Sequence, residues 1–189
     1  MVKKEKGKVG SSFQENIEYM NQVLPVGESF DVLRRDIIIG GRQASFYFIN
    51  GFMKDETMQK IMASFLGVKD REMPKDATSF SQKYISYDSV DIISDFDQVI
   101  KNVLSGITCL FIEGYEVCIA IDCRTYPARS VEEPEKDKSL HGSRDGFVET
   151  IVCNTAMIRR RIRDPHLIME MVEAGNTTRT DIAICYMSD

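Results

Sequence analysis

In residues 142–165 the chain reads GSRDGFVETIVCNTAMIRRRIRDP, a segment that joins a polar loop, a helix start, a cluster of arginines and a helix stop. Asp145 is placed to cap the helix, and Glu149 falls in its first turn. Four arginines crowd the last turns: Arg159, Arg160, Arg161 and Arg163. Because acidic residues favour the start of a helix and basic residues its end, this order of charges complements the helix dipole. Pro165 is then predicted to end the helix.

The same segment has a periodic face that predicts burial against a sheet. Its members recur at steps of three and four: Val148, Ile151, Val152, Thr155, Ile158 and Ile162. Consecutive arginines fan around the helix and cannot share one solvated stripe, so at least one is expected to meet an acidic partner. Two interpretations remain open. The arginines hold neighbouring loop acids such as Glu132 or Glu133, or they form an anion-binding or partner-docking patch.

Four stretches carry a family resemblance: residues 40–52 (GGRQASFYFINGF), 126–134 (YPARSVEEP), 142–150 (GSRDGFVET) and 154–165 (NTAMIRRRIRDP). In this order they resemble the GerA family of spore germination proteins, over most of the chain from about Ser29 onward. The likeness is to the soluble amino-terminal domain of the family's A-type subunits.

The resemblance implies a position ahead of membrane-spanning helices in the inner membrane of bacterial spores, with this domain facing the cytoplasm or spore core. It implies a part in nutrient-triggered germination as a germinant receptor subunit, with ion release through an oligomeric channel. The implied partners are the protein's own C-terminal membrane-spanning region and other subunits of the germination complex, with a small nutrient molecule as a further candidate. The isolated domain is compatible with a monomer, and the resemblance implies no enzymatic activity.

The expected fold class is mixed α/β (α+β), with two small subdomains. The resemblance implies this division and a scaffold similar to that of solute-binding proteins, although a ligand site does not follow from it. Each subdomain is expected to have a mixed or antiparallel sheet of β-hairpins packed by helices. The predicted divisions are a disordered basic tail over 1–12, a first subdomain over 13–126, an ordered connecting segment over 127–146 and a second subdomain over 147–189.

Local signals predict three hairpins that alternate with helices. The hairpins are predicted at residues 31–49, 107–124 and 166–187. Further helices are predicted at residues 13–24, 53–67 and 92–104, the first opened by a Ser12–Glu15 capping pair and the last capped near Ser89 or Asp91. Residues 68–79 are predicted to form a surface loop. The apolar run at 117–121 predicts a strand covered on both faces.

A weak internal likeness links the end of the chain to the first hairpin. Residues 180–189 echo residues 42–50, after which the first copy continues into a helix. The likeness predicts that the protein continues beyond Asp189 and that the second copy has an exposed apolar edge where its helix would sit.

Composition limits the possible function classes. The chain has 189 residues, of which 43% are hydrophobic, and this is enough for a substantial core. A net charge of -5 argues against a general nucleic-acid binder. No apolar run approaches the roughly 20 residues that cross a bilayer. Residues 1–10 hold four lysines without the hydrophobic centre of a signal peptide, which argues against export and leaves weak attraction to anionic lipid as an alternative.

Cofactor and enzyme hypotheses find little support in the sequence. The five cysteines lack CxxC spacing and are predicted to be reduced core residues. No metal site or cofactor is expected, since His141 lies in a polar loop and His166 follows Pro165. Asp122 and Arg124 lie at a strand end where α/β active sites often form, but nothing completes a catalytic triad or a phosphate-binding loop. The protein is therefore expected not to be an enzyme.

Two functional hypotheses follow. The favoured one is an interaction and signal-coupling module that uses the arginine helix and residues 126–146. The alternative is a small-molecule, germinant-like sensor with a cleft between the subdomains, lined by Arg129, Arg144, Asp145 or Asn154. The candidate interaction or ligand patch comprises Arg129, Glu132, Glu133, Arg144, Asp145, Asn154, Arg159, Arg160, Arg161 and Arg163.

Overall fold

The computed structural model describes residues 7–126 and 146–188. Five helices and seven strands follow one another in these ranges, with one turn of 3-10 helix at Asp70–Glu72. In chain order they are α1 (Phe13–Val23), β1 (Val32–Ile39), β2 (Arg42–Ile49), α2 (Asp55–Leu66), α3 (Ala77–Tyr84), β3 (Val90–Ile93), α4 (Phe96–Leu104), β4 (Thr108–Ile112), β5 (Cys118–Ile121), α5 (Ile151–Arg161), β6 (Leu167–Ala174) and β7 (Thr180–Met187).

A five-stranded antiparallel sheet forms the centre of the fold, with strand order β1-β2-β4-β5-β3. Its first hairpin pairs Val32 with Ile49 and Ile39 with Arg42. Between the strands, Gly40 and Gly41 have φ values of 54° and 77°. Two positive φ values in a two-residue turn match the twist of the flanking strands. The predicted first hairpin is therefore confirmed.

The sheet is covered on both faces, as the apolar run at 117–121 predicts. Every residue of β4 and β5 is buried. On one face α1 and α4 pack through Met20, Val99 and Val103. On the other face α2 and α3 pack through Phe65 and Phe80. Alternate residues of the central strands enter the two clusters, which is why their sequence is continuously apolar.

The predicted helix over 92–104 is wrong at its start. Ile92 and Ile93 belong to β3, which pairs antiparallel with β5 at the edge of the sheet. The helix begins only at Phe96, where the Asp95 side chain accepts a hydrogen bond of 3.0 Å from the backbone N–H of Gln98. Asp95, rather than Ser89 or Asp91, is the N-cap, and pairing with β5 outweighs the helical spacing of the two isoleucines.

The predicted surface loop over 68–79 is also wrong in part. It contains the 3-10 turn and the first residues of α3, whose N-cap Asp76 accepts a hydrogen bond from Ser79 N–H at 2.8 Å. Val68 and Ala77 are buried in the cluster on that face of the sheet. The polar composition of the segment reflects its outer surface, while two small apolar residues hold it against the core.

A second, two-stranded antiparallel sheet is formed by β6 and β7, which confirms the third predicted hairpin. The fold is thus mixed α/β with two antiparallel sheets packed by helices. A helix followed by a hairpin occurs as α1-β1-β2 and again as α5-β6-β7. In both copies the second strand is the one that carries the internal likeness. Much of β7 in the β6–β7 hairpin is exposed, and Ile182 and Ile184 are 43% and 45% accessible.

The structure also shows the state of the cysteines and the length and apolarity of the described helices. All five cysteines are free, with Cys109, Cys118 and Cys123 buried and the other two half-buried. Burial raises the pKa of the Cys118 thiol well above its ordinary value, which keeps it protonated and unreactive. Among residues 7–126 and 146–188, no helix combines the length and apolarity that crossing a membrane requires.

Candidate functional site

The arginine helix α5 begins later than the sequence predicts. It covers Ile151–Arg161, so Val148 precedes it, and the predicted cap Asp145 lies outside the described residues. The N-cap Thr150 makes no side-chain capping bond. Instead the Asn154 amide closes the start of the helix, because its Oδ1 accepts from Val148 N–H and its Nδ2 donates to Val148 C=O, both at 2.7 Å.

Helix α1 starts with the same device. Asn16, the fourth residue of α1, exchanges hydrogen bonds of 2.9 and 2.8 Å with the backbone of Gly10, six residues earlier. Asn154 is likewise the fourth residue of α5 and bonds a residue six positions earlier. Since both polar groups of the Asn154 amide are already satisfied, its side chain holds the helix start in place rather than being free to bind a ligand.

Arg159 is the centre of the site, and its side chain is completely buried. Its Nε donates to Asp31 Oδ2 at 2.7 Å, and its Nη2 donates to Asp31 Oδ1 at 3.1 Å. Its Nη1 donates to the backbone carbonyl of Asp164 at 2.9 Å, and its Nη2 also donates to that of Leu167 at 2.7 Å. The expectation that one arginine meets an acidic partner is confirmed. The partner is Asp31, 128 residues earlier in the chain, whereas Glu132 and Glu133 lie outside the described residues.

The segment before β1 ties β6 to this ion pair. Ser29 Oγ donates to Asp31 Oδ1 and accepts from Met169 N–H at 2.9 Å. Phe30 N–H donates to Met169 C=O at the same distance. Both Ser29 and Asp31 are about 1% exposed. The buried charges are therefore surrounded by satisfied polar groups, which is the condition under which a buried ion pair is tolerated.

Helix α5 also packs against the loop between β2 and α2. Gly51 in that loop has a φ of 84°, and a Cβ built on it would lie 3.0 Å from Val152 Cγ1 and 3.2 Å from Ala156 Cβ. A side chain at this position would therefore meet the helix. Gly51 both permits the turn and allows the close approach of α5.

The next arginine, Arg160, is exposed and stacks on Tyr126, with its guanidinium carbon 4.3 Å from the ring centroid. The Tyr126 hydroxyl donates to Ser105 C=O at 2.8 Å, and Arg124 Nη1 donates to the same hydroxyl at 3.2 Å. Stacking on a fixed aromatic ring is a favourable cation–π arrangement for arginine. Arg160 is thus positioned on the segment that follows β5.

The Asp122 and Arg124 side chains, considered above as possible catalytic groups, form a closed ion pair. Arg124 donates from Nε and Nη2 to the two carboxylate oxygens of Asp122, at 2.7 and 2.5 Å. These hydrogen bonds lower the pKa of Asp122 below its ordinary value and raise that of Arg124. A carboxylate held ionised in this way is a poor general base, so the pair is better suited to orienting Tyr126.

The candidate patch therefore divides into three parts. Asn154 and Arg159 are engaged inside the molecule, whereas Arg160, Arg161 and Arg163 are exposed on the last turn of α5 and just beyond it. The remaining members lie outside the described residues: Arg129, Glu132, Glu133, Arg144 and Asp145. Sequence reasoning missed Asp31. The available signal was an acidic residue between two apolar ones, Phe30 and Val32, at the entrance to a strand.

The sequence of this chain matches a family of known proteins. A model of the family described as Bacillus/Clostridium GerA spore germination protein matches residues 18–189. Stage V sporulation protein AF of Bacillus subtilis is 35% identical over 99% of this chain and 38% of its own length. Spore germination protein KA of the same organism is 28% identical over 86% of this chain and 30% of its own length. The chain therefore spans well under half of these relatives.

A solved structure has a similar fold. The N-terminal domain of the A subunit of the Bacillus megaterium spore germinant receptor GerK3 superposes with a TM-score of 0.70 at 19% identity. The match covers 97% of this chain and 68% of that domain.

Proposed function

Because the chain belongs to the GerA family of spore germination proteins, we propose that it is a non-catalytic interaction and signal-coupling module in germination. In this role it docks onto its own C-terminal membrane-spanning region and onto other subunits of a germination complex. The proposed location is the inner membrane of the spore, with this domain facing the cytoplasm or spore core. The names of the relatives and the fold of the receptor A-subunit domain support the proposal.

The proposal rests on the difference between the one buried arginine and the three exposed arginines of the cluster. Buried Arg159 fixes α5 to the entrance of β1, so the exposed Arg160, Arg161 and Arg163 are presented from a rigid helix end. A cationic group held in place loses little conformational freedom when it meets an acidic surface, and charge complementarity then selects the partner. We call these three exposed residues the docking arginines.

The same helix supports the coupling role. We infer that residues 13–126 and 147–189 are the two subdomains and that residues 127–146 connect them along the chain. We also infer that α5, in the second subdomain, makes the packing contact between the two. Helix α5 bonds Asp31 and packs on Gly51 in the first, and its Arg159 also bonds Leu167 C=O in the second. A displacement of either subdomain is therefore expected to move α5 and the docking arginines with it.

The test replaces docking arginines with glutamine, which removes the positive charge but keeps a polar side chain. In the full-length protein, Arg160→Gln combined with Arg163→Gln should leave folding intact, slow spore germination and reduce co-purification of partner subunits. The matched control is Arg71→Gln with Lys69→Gln, two exposed cations near the 3-10 turn. Germination and co-purification at control levels in the docking-arginine variant would refute the proposal. If the docking-arginine variant failed to support germination because it was unfolded, these arginines would contribute to stability and not to docking.

A further inference from the structure

A crevice of about 440 Å³ lies between α2 and the adjacent face of β1 and β2, and its lining includes Gly51, on which α5 packs. Ile61 and Phe65 of α2 enter the core, while Met58 and Met62 form a neighbouring half-buried stripe that lines the crevice. The size falls in the range of roughly 300–1,000 Å³ that is typical of small-molecule sites.

The walls of the crevice are apolar and adaptable. Leu33 and Phe48 are paired neighbours on β1 and β2, and both are half-buried on the wall that faces α2. The two methionines close the opposite side. Methionine has three rotatable bonds and a polarisable sulfur, so such a wall can adjust to apolar groups of different shape.

Among the described residues that line the crevice, the charged side chains are all positive. They are Arg35 and Lys54, and no Asp or Glu is found in the described part of the lining. Both cations are exposed, and within the part of the chain that the structure describes neither forms an ion pair. By contrast, the neighbouring Arg34 is neutralised by Asp36 at 2.6 Å. An uncompensated pair of cations beside an apolar cavity complements a single negative charge with an apolar tail.

From this arrangement we propose that the crevice binds a small apolar monocarboxylate. The carboxylate lies between Arg35 and Lys54, and the hydrocarbon part lies between Phe48 and the methionine stripe. A zwitterionic amino acid is disfavoured, because none of the described lining residues offers a carboxylate to its ammonium group. This site goes beyond the proposed docking function, because none of the three docking arginines lines the crevice.

The experiment titrates the 189-residue chain with octanoate, with neutral 1-octanol and with leucine, and follows methionine methyl groups by NMR. Octanoate should shift the Met58 and Met62 methyl signals in a saturable way. The Met20 signal should stay unchanged, because Met20 is buried in the cluster on the opposite face of the sheet. Octanol and leucine should bind at least about tenfold more weakly.

Two double variants test whether octanoate binding needs the positive charges of Arg35 and Lys54. Arg35→Gln with Lys54→Gln should weaken octanoate binding by roughly tenfold or more, since two charge-assisted contacts are lost. The matched control, Lys60→Gln with Lys69→Gln, removes the same charge from positions that do not line the crevice and should bind as the parent does. The proposal is overturned by an absence of saturable shifts, by equal binding of octanol or leucine, or by an equal loss in both variants.

Discussion

At the residue scale, the decisive contact is between Arg159 and Asp31. Both side chains are withdrawn from water, and each of the three guanidinium nitrogens donates to an oxygen of Asp31 or of the adjoining backbone. A buried charge of this kind is costly unless it is paired, so each partner depends on the other. The same contact fixes the position of the arginine-rich end of α5 against the rest of the chain.

Arg159→Met is expected to destabilise the chain by about 3–5 kcal/mol, because it leaves the Asp31 carboxylate buried without its partner. Urea denaturation followed by circular dichroism measures the change in the free energy of unfolding. The matched control is Arg163→Met, an exposed position where a change within about 0.5 kcal/mol is expected. Equal stabilities of the two variants would show that the buried pair contributes nothing to the fold.

At the scale of elements, α5 is held by three kinds of contact. Asn154 fixes its start, Arg159 anchors its last turn, and Gly51 allows its middle to approach the β2–α2 loop. The helix itself has a weakly apolar sequence that is rich in arginine, so its intrinsic tendency to bury a face is modest. Its position therefore depends on these specific contacts more than on a broad hydrophobic stripe.

The contact of α5 with the β2–α2 loop predicts unequal effects at two glycines with nearly the same backbone. Gly27 and Gly51 have φ values of 85° and 84°, but a Cβ at Gly27 meets nothing within 4 Å. Gly27→Ala should cost only the backbone strain, about 1–2 kcal/mol. Gly51→Ala should cost about 1–3 kcal/mol more, because the added methyl group pushes against Val152 and Ala156.

Chemical denaturation of the two glycine variants gives this difference directly, and backbone strain cancels in the comparison. If Gly51→Ala and Gly27→Ala lost the same stability, the close approach of α5 to the loop would have no energetic consequence. A larger loss in Gly27→Ala would contradict the packing described here.

At the scale of the whole molecule, burial falls off from the five-stranded sheet towards the tip of the β6–β7 hairpin. Leu167, Ile168 and Met169 at the start of β6 are buried against the rest of the chain. The residues that follow in β6 are exposed, although they remain paired with β7. A two-stranded hairpin has little stability of its own, so its order depends on the end that is packed.

Hydrogen exchange should reveal this gradient. Amides of the pair Leu110 and Ile119, in the buried centre of the sheet, should exchange only through global unfolding. Amides near the pair Val172 and Ile182 should exchange at least about tenfold faster, through local opening of the hairpin tip. Equal protection at the two sites in the 189-residue chain would mean that the hairpin is as stable as the main sheet.

Local sequence signals were sufficient for much of the fold. The Gly40-Gly41 turn, the Ser12 cap and the continuous apolar strand at 117–121 each depend on neighbours a few residues away, and the structure confirms all three. The same signals failed at β3 and α3. There the outcome depended on pairing with β5 and on burial of small residues in the core, which are contacts with distant parts of the chain.

The sequence by itself determined that α5 ends in a cluster of arginines and that one of them needs an acidic partner, because charge and helical spacing are local properties. Only the tertiary structure decided that Arg159 is that residue, that Asp31 is its partner and that Arg160 stacks on Tyr126. Those choices are made when distant segments pack together, and Arg159 and Asp31 are 128 residues apart. Packing selects partners by proximity in space, and spacing along the chain does not encode that proximity.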